Sequence, residues 1–124
     1  MIGEIRKILV PFYDTLSGQM KIKSRPGLII AQADIDDYTV LPVSRISKSQ
    51  YRHAKYDVQI DPAAYPLLNL NALSYIRTHK ITTVNRNEIG GFIGDLKGNY
   101  EELYLNVMVL QEDYSRSITE QALN

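Results

Sequence analysis

The chain has 124 residues, a formal net charge of zero, 44% apolar and 23% charged residues, and no cysteine. These values predict one globular domain and exclude disulfides, thiolate nucleophiles and cysteine metal sites. No apolar run is as long as a membrane span, and the start MIGEIRKILV lacks a signal-peptide pattern, so we expect a cytoplasmic protein without membrane contact.

The predicted strands come first along the chain. Apolar, β-prone residues predict a strand at 5–12, and the polar, glycine-containing segment 13–24 predicts a loop. Pro26 then marks the start of a strand over GLIIAQA, residues 27–33, whose continuous apolar run indicates burial on both faces. Further strands are expected at 38–44, 56–60, 73–77 and 81–84, with a basic loop at 45–55. Pro42 implies an edge or bulge position for its strand.

Only the C-terminal part predicts a helix. Asn99 suits the N-cap and Glu102 stands at the capping-box position. One apolar face follows the i, i+3, i+4, i+7 spacing and consists of Tyr100, Leu103, Tyr104, Val107, Leu110 and Tyr114. The tail after Tyr114 is weakly determined by its sequence. The predicted fold is mostly β, a compact barrel closed by one C-terminal helix, as a single domain over residues 1–124.

Basic residues are unevenly distributed although the total charge is zero. Three segments contain no Asp or Glu, namely 15–33, 38–56 and 62–87, and together they hold ten of the fourteen Lys and Arg residues. If these segments converge in the fold, one face of the protein is basic and suits a polyanion. The alternative is that acidic residues are simply depleted in strands.

Several common functional sites are not supported by the sequence. His53 and His79 have no second histidine or acid at a usual metal-ligand spacing. The acids of DIDD, residues 34–37, lack the glycine and terminal glutamate of a calcium loop and suit a hairpin tip. IGGFIG, residues 89–94, has neither a GxGxxG pattern nor a P-loop lysine, so we expect its glycines to form a tight turn. The expectation is a protein without a metal or cofactor.

The remaining candidates are polar groups that could act on a phosphodiester. Arg25 offers a planar fork of donors that matches phosphate oxygens, and Ser44 ends a strand with a hydroxyl. Arg77 and His79 are two residues apart, so an extended backbone projects them to the same face. A histidine that titrates near neutrality can transfer the proton of a phosphoryl reaction. Taken individually, each of these except Arg25 is better explained as an ordinary turn or exposed residue.

Taken in order, these residues resemble the MazF/PemK toxin family of bacterial toxin–antitoxin systems. The resemblance is carried by Gly3-Glu4-Ile5, by Lys23-x-Arg25-Pro26 followed by GLII, by LPVS ending at Ser44, by SYIRTHKITTV at 74–84, and by the terminal helix. It covers about a hundred residues in the family's order and spacing.

The resemblance implies an SH3-like β-barrel, usually a homodimer, that cleaves single-stranded RNA without a metal by attack of the ribose 2′-hydroxyl. Arg25 would stabilise the charge of the transition state, Ser44 would take the place of the catalytic threonine, and Arg77 would match the family's second arginine. His79 stands where some members have an acid.

An RNA groove and an antitoxin partner are implied as well. The expected RNA-binding residues are Lys21, Lys23, Arg45, Lys48, Tyr51, Arg52 and Lys80, with Tyr56 as a further stacking surface. The flexible tail of a cognate antitoxin would lie in the same groove. The alternative is a non-catalytic member of the same barrel class, which binds RNA or protein or poisons DNA gyrase as CcdB-like toxins do.

Overall fold

One antiparallel sheet of seven strands organises the chain, and the computed structural model describes all residues, 1–124. The strands are β1 Glu4–Asp14, β2 Gln19–Gln32, β3 Asp37–Ser44, β4 Asp57–Ile60, β5 Ser74–Arg77, β6 Thr82–Asn85 and β7 Ile89–Asp95. They pair in the order β4-β5-β3-β2-β1-β7, and β6 pairs with β3 beside β5. The helices α1 Leu96–Asn99 and α2 Glu101–Leu123 follow. The expected fold class is therefore confirmed, as a sheet curled into a half-barrel with a C-terminal helix.

Both faces of the sheet are covered near its centre. Leu28 and Leu41 point into the main core, which includes Tyr104 and Val107 of α2. Their neighbours Ile29 and Val40 point the other way into a smaller cluster with Ile8. Successive strand residues face opposite sides, so the continuous apolar run in β2 is explained by burial on both faces, as expected.

The first two strands extend beyond the rest of the sheet as a two-stranded ribbon, residues 9–24. Its strands pair from Leu9↔Ser24 to Asp14↔Gln19 and with no other strand. The expected loop at 13–24 is therefore correct only at 15–18: residues 13–14 and 19–24 are strand, because β1 and β2 supply each other's backbone partners there. Gly18, at φ 69°, makes the turn that joins the two strands.

Neither proline lies where it was expected. Pro26 is inside β2, next to the point where pairing with β3 ends at Gly27↔Pro42. Strand β3 is not at an edge, because it pairs with β2 on one side and with β6 and β5 on the other. On that second side, Pro42 falls between the last pair with β6, at Val40, and the first with β5, at Val43. A residue without an N–H costs the sheet least where ladders end.

The expected turn at Gly90, Gly91 and Gly94 is also wrong, because these residues belong to strand β7. A Cβ atom at Gly94 would lie 2.8 Å from the Cα of Leu68. Glycine is required there by close backbone packing and not by a turn.

The C-terminal helix is confirmed, and its expected face packs as predicted, with Tyr104 and Val107 buried. The expected cap is wrong. Asp95 caps α1 by accepting a 2.9 Å hydrogen bond from the Gly98 N–H, whereas Asn99 lies inside α1 and α2 has no side-chain cap. Helix α2 continues past Tyr114 to Leu123. No helix combines the length and apolarity that crossing a bilayer requires.

Candidate active site

Arg25 and Ser44 are brought together by the register of β2 and β3. The ladder between these strands ends at Gly27↔Pro42, and continuing that antiparallel register by two residues puts Arg25 opposite Ser44. The β2–β3 pairing has ended there, and Ser44 is held on the opposite edge of its strand by pairing with Tyr75 of β5. Both side chains therefore border the opening between two strand ends, where they line the same two clefts.

The first of these clefts, here called the cationic cleft, has a volume of about 500 Å³. Four cationic side chains line it, and no carboxylate does: Lys7, Lys23, Arg25 and Arg45. None of the four makes an ion pair within the chain. Asn69, Asn71 and Ser74 add neutral hydrogen-bonding groups to its wall. Cations without a carboxylate partner in a concave site attract an anionic ligand.

The second cleft, here called the apolar groove, has a volume of about 330 Å³ and shares the catalytic candidates Arg25 and Ser44 with the first. Its other lining groups are mostly apolar and include Ile8, Val40 and Val84, and Glu88 adds one carboxylate to its wall. Arg25 and Ser44 thus lie at the junction of the cationic cleft and the apolar groove.

Arg77 lies elsewhere, in a cluster built around the Asp57 carboxylate. Its Nε donates to Asp57 Oδ1 at 3.1 Å, and its Nη2 donates to the Tyr51 carbonyl at 3.0 Å. The Asp57 side chain is only 1% exposed. The guanidinium is therefore committed to internal partners, and Arg77 lines neither the cationic cleft nor the apolar groove.

His79 belongs to the same cluster. Its side chain is 10% exposed and packs against the rings of His53, Tyr56 and Tyr114. Burial lowers the pKa of His79 more than the nearby Asp57 carboxylate raises it. The Nδ1 atom is buried without a hydrogen-bond partner, since Asp57 Oδ1 is 3.8 Å away. His79 is therefore held as a neutral ring between the sheet and α2, outside both clefts.

The residues expected to bind RNA occupy varied positions. Lys23 and Arg45 line the cationic cleft, whereas Lys21 is bound to Asp14 at 2.8 Å on the ribbon. Lys48, Tyr51 and Lys80 are exposed and line neither cleft. Arg52 is also exposed and lies over the ring of Tyr75.

Tyr56 cannot serve as a stacking surface in this structure. It is 7% exposed, and its hydroxyl donates to Asp113 of α2 at 2.7 Å. The expectation that it would stack on a base is therefore wrong, because its ring is turned toward α2 and held there by Asp113.

Sequence reasoning missed Lys7, Asn69 and Asn71. Lys7 is the register partner of Pro26 and so enters the cleft beside Arg25, a signal that only the β1–β2 pairing reveals. All three acid-free segments reach the cleft, but the third contributes only uncharged residues to it and sends Arg77 to the Asp57 cluster. No group of three or more His, Asp or Glu side chains could hold a metal ion.

The sequence model of the PemK-like, MazF-like toxins of type II toxin–antitoxin systems matches residues 3–102. The chain belongs to this family. The matched segment contains the whole sheet, the cationic cleft and the start of α2. Family members are typically endoribonucleases. A comparison with curated proteins found no significant match.

Solved structures show the same fold at low sequence identity. The Mycobacterium tuberculosis toxin MazF-mt6 matches with a TM-score of 0.64 and 17% identity, over 91% of this chain and 96% of that one. An endoribonuclease solved in complex with its cognate antitoxin, from a mycobacterial species, matches with a TM-score of 0.61 and 14% identity, over 92% of each chain. At these identities the likeness establishes the MazF-like fold alone.

Proposed function

We propose that this PemK/MazF-like toxin is a sequence-specific endoribonuclease that cuts single-stranded RNA at the junction of the cationic cleft and the apolar groove, without a metal ion. The observation that carries the proposal is the position of Arg25 and Ser44, which line the same two clefts just beyond the end of the β2–β3 ladder. Membership of a family of endoribonucleases supports the reaction class.

The proposed reaction is an internal phosphoryl transfer. The ribose 2′-oxygen attacks the adjacent phosphorus and loses its proton, and the bond from phosphorus to the 5′-oxygen breaks as that oxygen gains a proton. The products are a 2′,3′-cyclic phosphate and a 5′-hydroxyl. The transition state gathers negative charge on the phosphoryl oxygens, which preorganised cationic donors stabilise.

Each residue of the junction has a role in this proposal. Arg25 donates two hydrogen bonds to the phosphoryl oxygens, and Ser44 donates its hydroxyl to orient the same phosphate. Lys7, Lys23 and Arg45 hold the adjoining phosphates of the strand in the cationic cleft. Arg77 and His79 are proposed not to touch the phosphate, because Asp57 and the aromatic rings around α2 already occupy them.

We also propose a cognate antitoxin and a homodimer, in the cytoplasm. An extended antitoxin tail with acidic and aliphatic residues would complement the cationic cleft and the apolar groove at once and would block Arg25. The ribbon offers an apolar contact to a second copy, because Leu9, Tyr13, Met20 and Ile22 share one exposed face. Light scattering, and titration with the protein encoded beside this gene, test these two partners.

The test of the activity is cleavage of a varied single-stranded RNA pool in EDTA by protein free of antitoxin. We expect cutting at a short recurring sequence, with a cyclic phosphate and a 5′-hydroxyl at the new ends. The control is the same RNA with one 2′-deoxynucleotide at the mapped cut, which should stay intact. An uncut pool would overturn the enzyme proposal, and inhibition of gyrase supercoiling by the same sample would favour the alternative toxin.

A further inference from the structure

A second groove adjoins the cationic cleft, between the segment that follows β3 and the start of β5. Arg45 lines both, and the second groove, of about 510 Å³, also has Ser47, Ser49, Arg52 and Tyr75 in its wall. No carboxylate lines this groove either. The uninterrupted absence of negative charge suits one continuous phosphodiester strand.

Arg52 and Tyr75 form a fixed unit in this groove. The Nη1 of Arg52 donates to the Tyr75 hydroxyl at 2.9 Å, and its Cζ lies 5.4 Å from the centre of the ring. Tyr75 is 5% exposed, whereas Arg52 is exposed. The buried ring of Tyr75 therefore holds the exposed, planar guanidinium of Arg52 in place.

The strand register places this unit beside the proposed reaction centre. Tyr75 is the direct cross-strand partner of Ser44. Directly opposed residues on one face of a sheet have Cβ atoms about 5 Å apart. A strand whose reacting phosphate lies at Ser44 would therefore pass Arg52 at the nucleotide next to that phosphate or at the one after it.

We propose that Arg52, held on Tyr75, is a binding subsite for a nucleotide that flanks the scissile phosphate, with Arg45 holding the phosphate between the two positions. This inference rests on the proposed endoribonuclease function. A guanidinium plane can stack against any base and can also attract the neighbouring phosphate. The subsite therefore adds affinity and determines how far the bound strand extends beyond the cut.

The experiment compares RNA oligonucleotides that contain the mapped cut and grow by one nucleotide at a time on either side. When one side is extended, wild type should gain affinity. The gain should appear as a lower KM and as tighter binding of a 2′-O-methyl version that cannot react. In Arg52→Ala this gain in affinity should be about tenfold smaller. Arg116→Ala is the matched control, since Arg116 is an exposed arginine on α2 outside the grooves.

Two further variants separate stacking from charge and from folding. Arg52→Lys keeps the charge without the planar fork, so a stacking subsite predicts a loss close to that of Arg52→Ala. Tyr75→Phe keeps the ring and removes the hydroxyl that holds Arg52, and we expect a smaller loss of the same length-dependent kind. Thermal unfolding checks that each variant is folded during the assay.

The outcomes distinguish this inference from the proposed function. If wild type cuts RNA and Arg52→Ala gains as much from extension as wild type does, the subsite is wrong and the activity stands. If wild type does not cut, the same binding measurement on single strands of increasing length, without a mapped cut, still decides: no length-dependent loss on Arg52→Ala overturns the subsite as well.

Discussion

The cationic cleft and the Asp57 cluster contain the same kinds of side chain in opposite states. In the cleft, Arg25 and its three cationic neighbours have no carboxylate among them. In the cluster, Arg77 is bound to a carboxylate that is 1% exposed, and His79 is packed among rings. Positive charge without an internal partner is available to a ligand, whereas positive charge that neutralises a buried acid maintains the fold. An arginine is therefore a candidate for catalysis where no internal carboxylate neutralises it.

The largest expected effect is on the cleft side of this comparison. Arg25→Ala should lower kcat for RNA cutting by roughly 10²–10³-fold, because it removes a donor from the charge that develops in the transition state. Its thermal unfolding should match wild type, since Arg25 is exposed and unpaired. Arg25→Lys keeps the charge but not the fork and should recover only part of the activity. Full activity in Arg25→Ala would contradict the proposed site.

Substitutions in the Asp57 cluster should have the reverse effect: they should lower stability and leave RNA cutting unchanged. Asp57→Ala should lower the free energy of unfolding by about 3 kcal/mol, because it leaves the partly buried Arg77 without its partner. Urea unfolding measures this loss, and Glu120→Ala, an exposed carboxylate on α2, should change little. Arg77→Ala should likewise be destabilised and keep the kcat of wild type. A kcat for Arg77→Ala as low as that of Arg25→Ala, in a protein of normal stability, would mean that Arg77 acts at the reaction centre.

The buried His79 ring should make the free energy of unfolding depend on pH. The expected change is smaller than the loss caused by Asp57→Ala. Its pKa is lower in the folded protein than its ordinary value of 6.5, so the unfolded chain binds more protons at mildly acidic pH. The free energy of unfolding should therefore fall as the pH drops below about 6.5. This loss of stability is complete once the pH is below the pKa of His79 in the folded protein.

His79→Phe keeps an aromatic ring and cannot titrate, so its free energy of unfolding should depend less on pH between 7 and 5 by roughly the His79 contribution. The charged or titratable neighbours that remain in both proteins are Asp57, Arg77, His53, Lys80, Tyr56 and Tyr114. Equal slopes in the two proteins would contradict the assignment of a lowered pKa to His79.

The smallest effect is expected at the exposed margin of the cluster. Lys55 lies 2.8 Å from Asp113 of α2, and both side chains are substantially exposed. Lys55→Met should lower the melting temperature slightly in dilute buffer and by less at about 1 M NaCl, where exposed charges are screened. A salt-independent loss as large as that of Asp57→Ala would mean that this ion pair belongs to the buried part of the cluster.

The sequence predicts the parts of this fold that depend on local pattern. Alternation and apolar runs were enough for the core of β1, β2 and β3 and for the buried face of α2, where Tyr104 and Val107 follow helical spacing. The polar half of β2 was missed because only pairing with β1 makes it a strand. Gly94 was misjudged because its constraint comes from Leu68, which is far away in sequence.

The candidate site divides in the same way. The K-x-R-P and LPVS patterns locate Arg25 and Ser44 on strands that the register then aligns. The spacing of Arg77 and His79 correctly suggested a shared neighbourhood, but it carries no information about the Asp57 carboxylate that meets them across β4 and β5. Whether a cation is free depends on long-range pairing, which sequence order does not encode.

The ribbon at 9–24 has a mechanical consequence for the proposed site. It is a cantilever, anchored where Ile8 pairs with Arg25 on one side and with Ile89 of β7 on the other. Displacement of a loaded arm grows with distance from its support, so bending moves Lys21 most, Lys23 less and Arg25 least. Contact with the tip of the ribbon can therefore shift Lys21 and Lys23 relative to a bound strand. Arg25, which is proposed to meet the reacting phosphate, stays in place.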